Sequence, residues 1–171
     1  MRVVLKLGGR VAGDSIGLAL DRHAAGDEVV VVHGAGTQIT SELRASGIAT
    51  RFVAGRRFTD QATLAIVRRS LVAVGTELSA ALGSAALHLV GDEIGLAATR
   101  VPELGLVGEP LPCRPAAVEE AFAARRIPIV TPIGCPSRST APRSSCVASR
   151  RVRGPISAAL PSRSTSTSAS A

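Results

Sequence analysis

The sequence predicts an α/β fold, a three-layer sandwich around a mainly parallel sheet, on three observations. Short apolar runs alternate with helical patterns over residues 2–134. The run EVVVVHGAG at 28–36 holds four consecutive valines with no polar alternation, as a strand buried on both faces requires. Two of the runs close on glycine clusters, and in a parallel sheet both would emerge at the carboxyl edge, where open α/β sheets bind ligands. With 171 residues, 46% of them apolar, the chain is long enough to bury one substantial core.

Each element has its own justification. RVVLKL at 2–7 is a short strand closed by Gly8 and Gly9. Residues 14–25 carry Ile16, Leu18, Ala19 and Leu20 and read as a helix. After the valine strand, residues 37–46 read as a second helix stopped by Gly47. From 60 to 82, Leu64, Val67, Leu71, Val74, Leu78 and Leu82 recur at spacings of three and four, with Asp60 as N-cap and Gly83 as stop. ALHLV at 86–90 and GLVGE at 105–109 are strand candidates. Pro115 opens a helix expected to reach 126, and IPIVTPIG at 127–134 is a further strand.

The chemistry changes after Gly134. Residues 1–134 hold 14 Lys and Arg against 13 Asp and Glu, whereas 135–171 hold six arginines and no acid, so the formal charge of +7 belongs to the tail. Of those 37 residues 14 are Ser or Thr, without apolar periodicity, and a disordered tail at 135–171 is expected beside a folded lobe at 1–134. Six arginines without an aromatic would support only salt-sensitive, sequence-independent phosphate binding, so nucleic acid is not the expected partner. No apolar run reaches membrane-spanning length and MRVVLKLGG lacks the plan of a secretory signal, which makes the cytoplasm the default location. Cys113, Cys135 and Cys146 are odd in number with no CxxC spacing, and His23, His33 and His88 are dispersed, so neither a disulfide framework nor a metal site is indicated.

Three clusters could carry chemistry. Nineteen of the 20 basic residues are arginine; the single lysine, Lys6, stands just before Gly8 and Gly9. A compact ammonium beside glycine backbone amides suits a phosphoryl group in transfer. His33-Gly34-Ala35-Gly36 is the second cluster, where glycines let amides approach an anion ahead of a helix N-terminus. Neither cluster is a Walker loop, and the third glycine of GxGxxG is absent. The third is Gly55-Arg56-Arg57-Phe58-Thr59-Asp60, whose arginines could clamp a carboxylate bidentately. His33 itself reads as a hydrogen-bonded strand-end residue rather than a base.

Taken in order, KLGG at 6–9, VVVVHGAGTQI at 29–39, GIATRFVAGRRFTD at 47–60, LGLVGEP at 104–110 and IPIVTPIG at 127–134 resemble the amino-acid kinase family, specifically the N-acetylglutamate kinases. The resemblance implies transfer of the γ-phosphoryl of MgATP to the side-chain carboxylate of N-acetyl-L-glutamate, an early step of arginine biosynthesis. It implies that Lys6 stabilises the phosphoryl in flight, that Gly8 and Gly9 hug the phosphates, that Ala35 and Gly36 hold the acetylglutamate, and that Arg57 binds its α-carboxylate. ATP with Mg2+ is the implied co-substrate, and members of the family are commonly homodimers or hexamers. A related kinase acting on a carrier-bound aminoadipate is the alternative within the class, and a non-catalytic anion-binding remnant the alternative outside it.

Three departures from the family pattern stand out. Ala35 replaces a usual glycine, which would cost on the order of 1 kcal/mol if the position needed positive φ. Thr76-Glu77 stands where Asn-Lys is common. Beyond Gly134 the expected second half, with its nucleotide-binding residues, does not follow. The tail reads as a GC-rich gene translated out of frame, and the chain alone is expected to be inactive.

Overall fold

The computed structural model describes residues 1–8 and 13–137. Along them run β1 (Arg2–Leu7), α1 (Gly13–Ala24), β2 (Glu28–His33), α2 (Gly36–Ala45), the two-residue strands β3 (Phe52–Val53) and β4 (Arg56–Arg57), and α3 (Gln61–Leu82). There follow β5 (Ala86–Val90), β6 (Ala97–Arg100), β7 (Gly108–Pro110), α4 (Ala116–Ala123), β8 (Ile127–Thr131) and β9 (Cys135–Pro136). Four strands form one parallel sheet in the order β1-β2-β8-β5. Helices on both faces make the expected three layers.

Side-chain alternation decides which face is which. Val29 and Val31 of β2 and Ile127 and Ile129 of β8 are fully buried in one cluster with Ala19 of α1, Leu43 of α2 and Leu71, Val74 and Leu78 of α3. Val130 points the other way and is buried with α4, whose Ala121 and Phe122 are also buried. Strand β8 is buried along its whole length, and this is why IPIVT carries no exposed polar position. Each large side chain so enclosed contributes about 1.5–3 kcal/mol.

Both ends of α3 fall where the sequence puts them. The Asp60 carboxylate accepts from the Thr63 amide at 2.8 Å, which holds its pKa below the ordinary value. Gly83, at φ 65, turns the chain out while its N–H returns to the carbonyls of Ser79 and Ala80.

Elsewhere the boundaries differ for identifiable reasons. Helix α4 ends at Ala123 rather than 126, because Arg125 takes a left-handed conformation (φ 53) that swings Ile127 into the sheet. Pro115 is its N-cap rather than its first residue. Strand β8 stops at Thr131, as Pro132 has no N–H for the ladder. The strand expected at 105–109 lies at Gly108–Pro110, antiparallel to β6, which the apolar pattern did not mark. The stretch before α3 is a hairpin in which Ala54 (φ 48) and Gly55 (φ 77) both sit left-handed, the twist a two-residue turn needs. Of the tail expected to be disordered at 135–171, Cys135 and Pro136 instead form β9, paired parallel with β6, while Gly9 and residues 138–171 lie outside the described residues.

Candidate functional site

The parallel register of β1 and β2 sets Leu7 opposite His33, so the two glycine loops leave the sheet side by side. Gly34 N–H donates to the Leu7 carbonyl at 3.0 Å and ties the loops at their origin. Lys6 and Gly8 flank that tie and are both exposed, while Leu7 between them is buried. An anchored backbone thus carries, at the carboxyl edge of the sheet, an exposed ammonium with no ion-pair partner among the described residues.

Helix α2 starts at the same edge. Ala35 is its N-cap and is buried, with no side chain capping the helix, so the first-turn amides and the positive end of the helix dipole face this edge. The strain considered for Ala35 does not arise: its φ is −138, a value open to any residue.

Arg57 joins the same edge through a chain of hydrogen bonds. Thr40 Oγ1 donates to the Gly36 carbonyl at 2.9 Å and accepts from Arg57 Nη2 at 3.0 Å, which is all a single hydroxyl proton allows. Arg57 Nη1 donates to Thr50 Oγ1 at 3.2 Å, and the guanidinium lies 5.0 Å above the Phe52 ring. Among the described residues no carboxylate pairs with Arg57, whereas Arg56 pairs with Glu109, Arg68 with Asp92 and Glu93, and Arg69 with Glu42. Partial burial lowers its pKa, yet a guanidinium remains charged. A cation oriented by neutral hydroxyls and a ring, without a counter-charge, is suited to an incoming carboxylate.

The hairpin that bears Arg57 is braced from behind. Leu106 N–H donates to the Thr59 carbonyl at 2.7 Å and Thr59 N–H to that of Leu104 at 3.0 Å. Gly105 sits at φ 76 where a Cβ would come within 2.4 Å of the Thr59 carbonyl oxygen, so this crossing demands glycine. The LGLVGEP and GRRFTD segments, far apart in sequence, are therefore one structural unit.

His33 is the hydrogen-bonded strand-end residue expected of it, with Nε2 3.2 Å from Thr131 Oγ1 and burial lowering its pKa. The sequence reading names Lys6, the glycines and Arg57 but not Thr40, Thr50 and Phe52, which surround the Arg57 guanidinium. Thr40 had a signal, a hydroxyl four residues after Gly36 at the spacing of helical back-bonding. Among the described residues no group of three or more His, Cys, Asp and Glu could hold a metal ion, and no helix is long and apolar enough to cross a membrane.

The carboxyl edge of this parallel α/β sheet thus carries Lys6, Gly8, the turn at Gly34, the N-terminus of α2 and, through Thr40, an arginine that pairs with no carboxylate among the described residues. The chain belongs to the amino acid kinase family, whose profile matches residues 1–149. It is 32% identical over 143 residues to the acetylglutamate kinase of Cereibacter sphaeroides, covering 77% of this chain and 49% of that one. To the acetylglutamate kinase of Halorhodospira halophila it is 35% identical over 163 residues, covering 81% and 54%, and to that of Solibacter usitatus 37% over 142 residues, covering 76% and 55%. The chain thus spans about half the length of these relatives. Among solved structures, smu.665 of Streptococcus mutans matches with a TM-score of 0.72 at 26% identity, over 79% of this chain and 60% of that one. The N-acetylglutamate synthase of Neisseria gonorrhoeae, solved with coenzyme A and N-acetyl-glutamate, shares the fold, with a TM-score of 0.61 at 24% identity over 78% of this chain and 34% of its own.

Proposed function

We propose that residues 1–134 form the acetylglutamate-binding lobe of a kinase that moves the γ-phosphoryl of MgATP to the side-chain carboxylate of N-acetyl-L-glutamate. The observation that carries this reading is the Arg57–Thr40–Gly36 connection, which ties a guanidinium with no carboxylate partner among the described residues to the first turns of α2, at the sheet edge where β1 and β2 end. Family membership and the similarity to acetylglutamate kinases point to the same reaction.

In this reading Arg57 pairs with the substrate's α-carboxylate, and the backbone at Ala35 and Gly36 holds the rest of the acetylglutamate. A side-chain carboxylate oxygen attacks the γ-phosphorus in line, an O–P bond forms, the bond to the β,γ-bridging oxygen breaks and ADP leaves. The nucleophile is already an anion, so no base is required and no covalent enzyme intermediate forms. Lys6 neutralises charge spread over the equatorial oxygens, and the amides of Gly8 and Gly9 hug the phosphates. Magnesium enters on the nucleotide as part of the substrate.

Calorimetric titration of the full chain with N-acetylglutamate tests the reading. Wild type should bind, Arg57→Ala should lose about tenfold or more, the worth of a charge-assisted pair, and Lys6→Ala should bind nearly as wild type. Equal affinity in wild type and Arg57→Ala would overturn it.

A further inference from the structure

The carboxyl ends of β2, β8 and β5 share a buried polar group that the proposed chemistry does not use. Thr131, the last residue of β8, is fully buried, and its Oγ1 lies 2.8 Å from His88 Nε2 and 3.2 Å from His33 Nε2. The register explains the meeting: Thr131 pairs with Val90, two residues beyond His88, and neighbouring pairs set it beside His33. The His88 ring fills a notch in α3, where a Cβ at Gly75 would stand 2.2 Å from Nε2.

One hydroxyl has one proton and two lone pairs, so it donates to at most one of the two Nε2 atoms and accepts wherever it does not donate. At least one neutral ring therefore carries its proton on Nε2 and donates it to Thr131 Oγ1, and a single oxygen ties the two rings together. His33 is the last residue before the loop at 34–35 that leads into α2, and the first amide of that loop is already bound to Leu7. We propose that Thr131 is a positioning residue for this loop: its hydroxyl, oriented by His88, fixes the His33 ring and with it the backbone leaving β2. The role concerns the loop whatever anion it holds; its bearing on acetylglutamate rests on the function proposed above.

Burial keeps both imidazoles toward the neutral form, as the relay requires. The charged groups acting on them are few. His88 disfavours charge on His33; Glu93, paired at 3.3 Å with Arg68 of α3, favours charge on His88, and Arg68 also holds Asp92.

Nitrogen-15 NMR of the full chain tests the proposal. Wild type should show the Nε2–H tautomer at His33, at His88 or at both near neutral pH. In Thr131→Val the imidazole nitrogen shifts of both rings should change and the amides of Gly34, Ala35 and Gly36 should shift, with Thr131→Ser restoring both. Acetylglutamate affinity should fall about 3- to 10-fold in Thr131→Val, the worth of one hydrogen bond, and recover in Thr131→Ser. On acidification the wild-type loop amides should titrate with the imidazoles. Loop amides that stay put in Thr131→Val, or titrate apart from both rings, would overturn the proposal. Should wild type bind no acetylglutamate, the proposed function falls while the loop amides still decide this one. Should Thr131→Val fail to fold, the wild-type titration and Thr131→Ser decide it.

Discussion

Arg57 separates what a residue's identity determines from what its neighbours add. The sequence offers a carboxylate clamp in a glycine-opened segment of two arginines, but nothing in that spacing tells Arg56 from Arg57. The fold does: Arg56 is neutralised by Glu109, while Arg57 meets Thr40, Thr50 and Phe52. Two outcomes follow for acetylglutamate binding. Arg57→Lys keeps the charge but loses the planar fork, the contact with Phe52 and one of two hydroxyl partners, so calorimetry should show affinity falling about tenfold. Thr40→Val leaves the charge and an exposed helix surface intact but frees one arm of the guanidinium; a loss of about 3- to 10-fold is expected, restored by Thr40→Ser. A Thr40→Val protein with unchanged affinity would mean that the hydroxyl does not orient the clamp.

Secondary structure elements were legible where a single physical signal dominated. The long apolar stripe, an Asp cap and a Gly stop fixed α3 almost to the residue, and unbroken valines fixed β2. The short antiparallel pieces β3, β4, β6 and β7 were mostly missed, because two to four residues carry no periodicity and their pairing depends on partners distant in sequence. Gly75 was also silent. Inside a helix it lowers stability by about 1 kcal/mol relative to alanine, and its reason appears only when β5 lays the His88 ring against it. Gly75→Ala should therefore destabilise, overpacking by about 1–3 kcal/mol against a propensity gain of about 1. Chemical denaturation of Gly75→Ala, His88→Ala and the double variant checks this. The cost of Gly75→Ala should vanish or reverse once His88 is alanine, and a strictly additive pair would refute the notch.

At the scale of the whole molecule, acid should act on the fold in two separate windows. The upper one belongs to His33 and His88, which burial holds below the ordinary value of 6.5. Below pH 6.5 the unfolded chain takes up protons that the folded chain does not, so stability drops as pH falls, until the folded imidazoles are protonated in turn. The lower window belongs to Glu119 on α4, held to about 2 by Arg114 and, at 3.0 and 3.1 Å, by Arg2 of β1, which also reaches Glu28 at 2.7 Å. A carboxylate lowered in this way stabilises above its ordinary value of 4.5 and loses that contribution as pH falls toward about 2. The two windows also differ in their response to salt. Glu119 and its arginines are partly exposed, so their network is worth at most about 1 kcal/mol and is screened at high ionic strength. The imidazole contribution comes from desolvation inside the sheet and should survive salt. Thermal melts from pH 8 to pH 2 at about 0.05 and 1 M NaCl distinguish them. Glu119→Gln should lower Tm above pH 4.5 at low salt, converging with wild type toward pH 2 and at high salt. His88→Gln should flatten the decline below pH 6.5 at either salt concentration. A decline between pH 6.5 and 5 that is unchanged in His88→Gln would show that the half-buried His88 imidazole does not govern acid stability there.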